Sequence, residues 1–153
     1  MCRGQTRRGK GSGFGVDILG LTNGGFVAAY ANPDNVVRLN FYGTNLSPIG
    51  GADVPSVAPT SAFTSALTRL ANGNVLAVWA DFAASDNGLK GRLFTAGGNP
   101  LGTELDLTPP GTTFLEPSVT ALSGGRFVVA YRNGGGTGGD IFARLYDASG
   151  EFL

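Results

Sequence analysis

The chain has no histidine and a single cysteine, Cys2, in 153 residues. Without imidazole there can be no Ser-His-Asp or Cys-His triad, and no zinc, copper or haem site built on histidine. One thiol excludes an internal disulfide and a thiolate metal cluster. Charge is scarce too, at 14% of residues, with two Lys and three Glu; the usual share is about a quarter. Such a composition is foreign to a helical bundle. No stretch approaches the roughly 18 consecutive apolar residues that a membrane-crossing helix needs. What remains is carboxylate chemistry, hydroxyl chemistry and oxygen ligation of hard cations.

Glycine and aromatics are plentiful: 26 Gly, ten Phe, four Tyr and one Trp, with 42% apolar residues. A disordered chain has high charge and few aromatics, so disorder is excluded for the bulk of the chain. The glycines follow no three-residue period, which excludes collagen. The net charge is zero but unevenly placed. Arg3, Arg7, Arg8 and Lys10 fall in the first ten residues with no acid, so the remainder is acidic. Residues 1–12 therefore read as a disordered basic leader, without the apolar core of a secretory signal. Residues 13–153 read as one all-β repeat domain. Basic residues scattered singly over an acidic body do not make a nucleic-acid surface.

The chain repeats itself. Leu21-Thr-Asn-Gly-Gly-Phe-Val-Ala-Ala-Tyr30, Leu70-Ala-Asn-Gly-Asn-Val-Leu-Ala-Val-Trp79 and Leu122-Ser-Gly-Gly-Arg-Phe-Val-Val-Ala-Tyr131 align at offsets of 49 and 52. Phe14, Phe63 and Leu115 fall in register upstream, as do Ile18, Leu67 and Val119. Downstream, Phe41-Tyr42, Leu93-Phe94 and Leu145-Tyr146 align, followed by Pro48-Ile-Gly50 and Pro100-Leu-Gly102. The units span about 14–57, 61–108 and 113–153.

Each unit reads as four short antiparallel strands. The first alternates around Ile18, Leu67 or Val119. It ends at Asn23-Gly24, Asn72-Gly73 or Gly124-Gly125, where positive φ suits a two-residue hairpin. The second strand (Phe26–Tyr30, Val75–Trp79, Phe127–Tyr131) is apolar on both sides, as for a strand covered on both faces. The third lies near Arg38–Tyr42, Lys90–Phe94 and Ala143–Tyr146. The fourth is expected at Thr103–Leu107 and, more weakly, within Ile49–Val57. In the third unit the sequence stops at Leu153 before that strand could be complete.

Tandem four-stranded units are the build of β-propeller blades. The wording L-x-x-G-x-φ-φ-A-φ-aromatic, then R-φ-aromatic-x-x-x-G-x-P-φ-G, resembles blade-like repeats of large bacterial surface and secreted proteins. The resemblance covers about 14–153. It implies a propeller-like scaffold with extracellular or cell-surface binding duties, and no catalytic residue comes with it. The alternative fold is a β-trefoil, which also uses three four-stranded units. Three blades fall short of a closed propeller of about four to eight. A homodimer closing a six-bladed ring is therefore expected.

Six residues are candidates for ligand contact. Tyr30, Trp79 and Tyr131 share one repeat position and could stack on sugar rings, although inter-sheet packing is the commoner use of such aromatics. Asp34, Asp86 and Asp140, with Asp81, stand in the loops before the third strands. Gly135–Ala143 matches one calcium nonapeptide, G-G-x-G-x-D-x-U-x, whose ions are shared between stacked copies; a lone copy reads first as a hairpin loop. No other cofactor is indicated. Arg92 and Arg144 match each other and are expected to be solvated or paired with strand-edge acids. Glu104, Asp106, Glu116 and Asp147 show no clear acid–base pair. The leading function is thus a non-catalytic module binding carbohydrate or protein. A self-assembling structural repeat and a carboxylate-based glycan-active enzyme are the alternatives.

Overall fold

A computed structural model describes residues 16–31, 36–54, 65–82, 88–109, 114–134 and 139–153. The leader, Asp34, Asp86, Phe14, Phe63 and residues 135–138 of the calcium-like loop lie outside the described residues. The rest is all-β, as the repeat predicts. β1 (Val16–Gly20), β2 (Phe26–Ala31), β3 (Val37–Tyr42) and β4 (Pro48–Asp53) form a first sheet. β5 (Ser65–Arg69), β6 (Val75–Asp81), β7 (Gly88–Phe94) and β8 (Pro100–Asp106) form a second. β9 (Phe114–Ala121), β10 (Phe127–Asn133) and β11 (Ile141–Tyr146) form a third. All pairings are antiparallel and join neighbours in sequence. The only helical turn among the described residues is a short 3₁₀ segment, Ser123–Gly125.

The repeat registers carry through. Tyr42 pairs with Pro48, Phe94 with Pro100, and Tyr146 makes an isolated bridge to Phe152. Phe152 thus stands where the fourth strand begins in the other two sheets. β8 starts at Pro100, three residues ahead of its expected start. None of the three sheets closes on itself, and no pairing among the described residues joins one to the next. The trefoil alternative, in which repeats share a closed barrel, has no counterpart in that pairing.

The turns depart from expectation in a regular way. Leu21 N–H donates to Gly25 O (2.9 Å) and Gly24 N–H to Leu21 O (3.1 Å). Three residues, not two, therefore lie inside the hairpin, and positive φ is needed at Gly24 alone (+81°). This is a type I turn closed by a left-handed residue. Leu70–Asn74, Gly43–Ser47, Thr95–Asn99 and Asp147–Glu151 repeat the same pair of bonds.

Two cores separate the three sheets. Val27, Ala29, Leu39 and Phe41 of the first sheet pack on Leu67, Val75, Ala77, Trp79 and Phe94 of the second. The opposite face of the second sheet, Leu76, Val78, Ala80 and Leu89, packs on Phe127, Val129, Tyr131 and Tyr146 of the third. Side chains also bond across the gaps: Leu67 N–H donates to Asp17 Oδ2 (2.7 Å), and Ala121 N–H to Thr68 Oγ1 (3.1 Å).

Only β6 has the two covered faces expected of every second strand; all seven of its residues are buried. In β2 and β10 burial alternates. The reason is position in the stack, since the outermost sheets have a neighbour on one side only.

Candidate functional site

The four described candidates, Tyr30, Trp79, Tyr131 and Asp140, do not converge. Trp79 is 1% exposed in the first core, so its indole supports packing and cannot meet a ligand. Tyr30 lies on the free face of the first sheet, half-buried, with its hydroxyl accepting from Asn40 Nδ2 at 3.0 Å. Asp140 is exposed, and its carbonyl accepts from Asn133 N–H. Asp81 belongs to no loop: it is the buried last residue of β6. Among the described residues no three acids, histidines or cysteines gather at one point. Tyr131 borders a cleft.

That cleft lies on the third sheet and the residues after it, and no second-sheet residue lines it. Its walls are Phe114, Tyr131, Asn133, Phe142, Arg144 and Phe152, around about 340 Å³. Successive side chains of a strand point to opposite faces, so Tyr131 from β10 and Phe142 from β11, a cross-strand pair, share this one. Their rings stack with centroids 5.9 Å apart and planes at 21°. Phe114 meets Tyr131 edge-on at 4.9 Å. At the other end Arg144 covers the Phe152 ring, 4.6 Å from its centroid.

Arg144 and Phe152 also form a partition. Beyond them a second groove of about 590 Å³ runs between β8 and the last turn, bordered by Glu104, Asp106, Tyr146 and Glu151. Tyr146 anchors the partition, its hydroxyl donating to the Leu107 carbonyl. Arg144 Nη1 donates to the same carbonyl at 3.4 Å. Burial pushes the Tyr146 hydroxyl above its ordinary pKa, against the pull of the nearby Arg144 charge. Arg144 and Arg92, expected to be solvated or paired with strand-edge acids, are half-buried, and their bonds among the described residues go to carbonyls. Arg92 Nη2 donates to Gly102 O at 3.5 Å, and its Nε is buried without a partner. Each arginine reaches a carbonyl sooner than a strand-edge acid.

The carboxylates are largely committed elsewhere. Asp106 is paired with Lys90, and Glu116 with Arg132 at 3.2 Å. Asp147 accepts from the Ser149 hydroxyl (2.6 Å) and from the amides of Ser149 (2.8 Å) and Glu151 (3.0 Å). These bonds, the Ser149 hydroxyl first, hold its pKa below the ordinary value. A glycosidase-type acid must instead be held protonated beside a second carboxylate.

β11 itself is an edge strand. Ile141 and Phe142 are 72% and 43% exposed, whereas Leu89 and Lys90, at the same repeat positions in β7, are 0% and 4% exposed. Of the cleft aromatics only Tyr131 is marked by the repeat; Phe114, Phe142 and Phe152 are not, because matching the units hides them. The signal lay in a mismatch: Phe142 stands where the other units carry Arg38 and Lys90.

No family model and no curated protein matches this chain. A solved structure of a protein of unknown function from Bacteroides caccae is similar at 15% identity and a TM-score of 0.43. The match covers 88% of this chain and 47% of that one, so the chain spans about half the length of that protein.

Proposed function

We propose that the chain is a non-catalytic interaction module, built of propeller-type sheets, that captures an extended peptide segment on β11. The observation that carries this reading is an apolar open edge lying directly against an aromatic cleft. Exposed edge strands are normally blunted with charge or proline. Ile141-Phe142-Ala143 has neither. Strand addition draws affinity from main-chain hydrogen bonds and specificity from pockets that take alternate side chains.

The second sheet supplies the template. There Leu107 N–H donates to Leu89 O at 2.9 Å as β8 lies along β7. The equivalent carbonyl in β11 is that of Ile141, and Leu153 N–H already bonds Leu145 O at 3.0 Å on the same edge. An incoming strand would run antiparallel to β11 and turn alternate side chains into the cleft. Stacking on Phe142 and Tyr131 favours an aromatic or long apolar residue. Arg144 favours an acid next to it on that face.

Binding of an alternating aromatic–acidic peptide library, followed by fluorescence anisotropy, tests the reading. Ala143→Pro removes an edge donor and blocks approach, so it should weaken binding at least about tenfold, as loss of strand pairing predicts. Phe142→Ala should do the same through the cleft. Binding that survives Ala143→Pro overturns strand addition. The stacked Tyr131–Phe142 floor beside Asn133 also favours a second reading, carbohydrate stacking. A glycan bound in a Phe142-dependent and Ala143→Pro-insensitive manner would establish it.

A further inference from the structure

We infer that the free face of the first sheet and the free face of the third are complementary, and that two copies of this chain close on each other through them, head to tail. The argument rests on the faces alone and not on the ligand of the cleft.

Each sheet presents the same repeat positions to the sheet before it. In the second sheet these are Leu67, Val75, Ala77 and Trp79, packed on the first sheet. In the third they are Val119, Phe127, Val129 and Tyr131, packed on the second. In the first sheet the same positions are Ile18, Phe26, Ala28 and Tyr30, and among the described residues no other sheet covers them. Ile18 is 64% exposed where Leu67 is 7% exposed.

The opposite face behaves likewise. Val37 and Leu89 hold one repeat position and are 2% and 0% exposed, each covered by the following sheet. The third sheet has Ile141 there, 72% exposed. Beside it lie Val128 and Ala130, half-buried, at the positions of the buried Leu76 and Val78. The two free faces therefore repeat the two halves of an interface that the chain already builds twice within itself.

That relationship selects the occupant. Like-on-like pairing would set two copies of the same half together, with no internal precedent. Head-to-tail pairing reproduces the internal contact, and closure by two copies covers both ends at once. Six sheets fall within the four to eight of closed propellers. Charge does not oppose contact, because the first face carries the Arg38–Asp53 pair (3.4 Å) and the third the Arg132–Glu116 pair, each neutral as a unit.

Light scattering or sedimentation equilibrium at micromolar concentration tests the inference with Ile18→Glu and Ile141→Glu. Both side chains are exposed and outside the cleft, and unchanged far-UV circular dichroism would show that the variants fold. Wild type should give twice 15.6 kDa. Each variant should fall to the monomer mass. An equimolar mixture should recover dimer in part, because one contact then has two intact faces. A monomeric wild type overturns the proposal. So does dissociation by one variant and not the other, which indicates like-on-like pairing. Mass that grows with concentration beyond the dimer overturns closure.

Discussion

Leu46 and Gly98 occupy the same step of two repeats, and both have a left-handed backbone, with φ of +63° and +85°. Gly98 needs its missing Cβ, since Phe41 of the first sheet lies 2.8 Å from where that atom would be. Gly150 closes on Leu105 of the second sheet in the same way, at 2.8 Å. Leu46 has no such neighbour and is 61% exposed.

Left-handed backbone costs a branched residue about 1–2 kcal/mol, and glycine returns part of that through its looser unfolded state. Leu46→Gly should therefore raise monomer stability by about 0.5–1 kcal/mol in urea unfolding. If the head-to-tail dimer reproduces the internal contact, the same change should also strengthen it, because the sheets that pack on Gly98 and Gly150 leave no room for a Cβ at this position. A loss of monomer stability would mean that Leu46 packs within its own chain.

Trp79 is the largest fully buried side chain and joins the first two sheets. Trp79→Ala should cost about 3–5 kcal/mol, the range for deleting a large aromatic from a core. Chemical denaturation of the variant measures it. A loss under about 1 kcal/mol would show that the first two sheets contribute little to each other.

Lys90 is 4% exposed, while its partner Asp106 has a side chain 73% exposed. Removing the acid leaves a buried ammonium less compensated, so Asp106→Ala should destabilise by about 1–3 kcal/mol, below the cost of breaking a pair buried on both sides. Lys90→Met keeps the volume and removes the charge. It should be neutral or stabilising, and the difference between the two variants in thermal unfolding is the check.

The two shifted groups act at opposite ends of the pH scale. The folded pKa of Tyr146 is raised by burial, so its contribution is present below the ordinary tyrosine value and is lost as pH rises through the folded one. Stability should decline in the alkaline range, and Tyr146→Phe should flatten that decline. Asp147 is lowered by its turn hydrogen bonds, so its contribution is present above the ordinary carboxyl value and is lost as pH falls through the folded one. Asp147→Asn should blunt the acid limb. Unfolding midpoints across pH for the three chains check both.

The strand order was legible because it depends on local chemistry. The repeated Leu-to-aromatic runs lie on β2, β6 and β10, and the third strands on β3, β7 and β11, within a few residues of expectation. The turn class is not legible in the sequence, because an Asn-Gly loop admits two closures, and only the pairing of Leu21 with Gly25 shows which is used. Asp81, a polar residue after an apolar run, has the sequence appearance of a strand end, but β6 carries it into the buried region.

Sequence alone determined that the chain is a tandem of antiparallel β units, that imidazole and disulfide chemistry are absent from it, and where each register sits. Those follow from composition and from a side-chain period of two, which neighbours along the chain impose. Tertiary structure decided what the repeat cannot encode, because equivalent residues have equivalent sequences and unequal surroundings. Tyr30, Trp79 and Tyr131 hold one repeat position, yet one lies on a free face, one in a core and one beside a cleft. Their roles differ because a stack of three sheets has a middle and two ends, and burial depends on which sheet lies alongside.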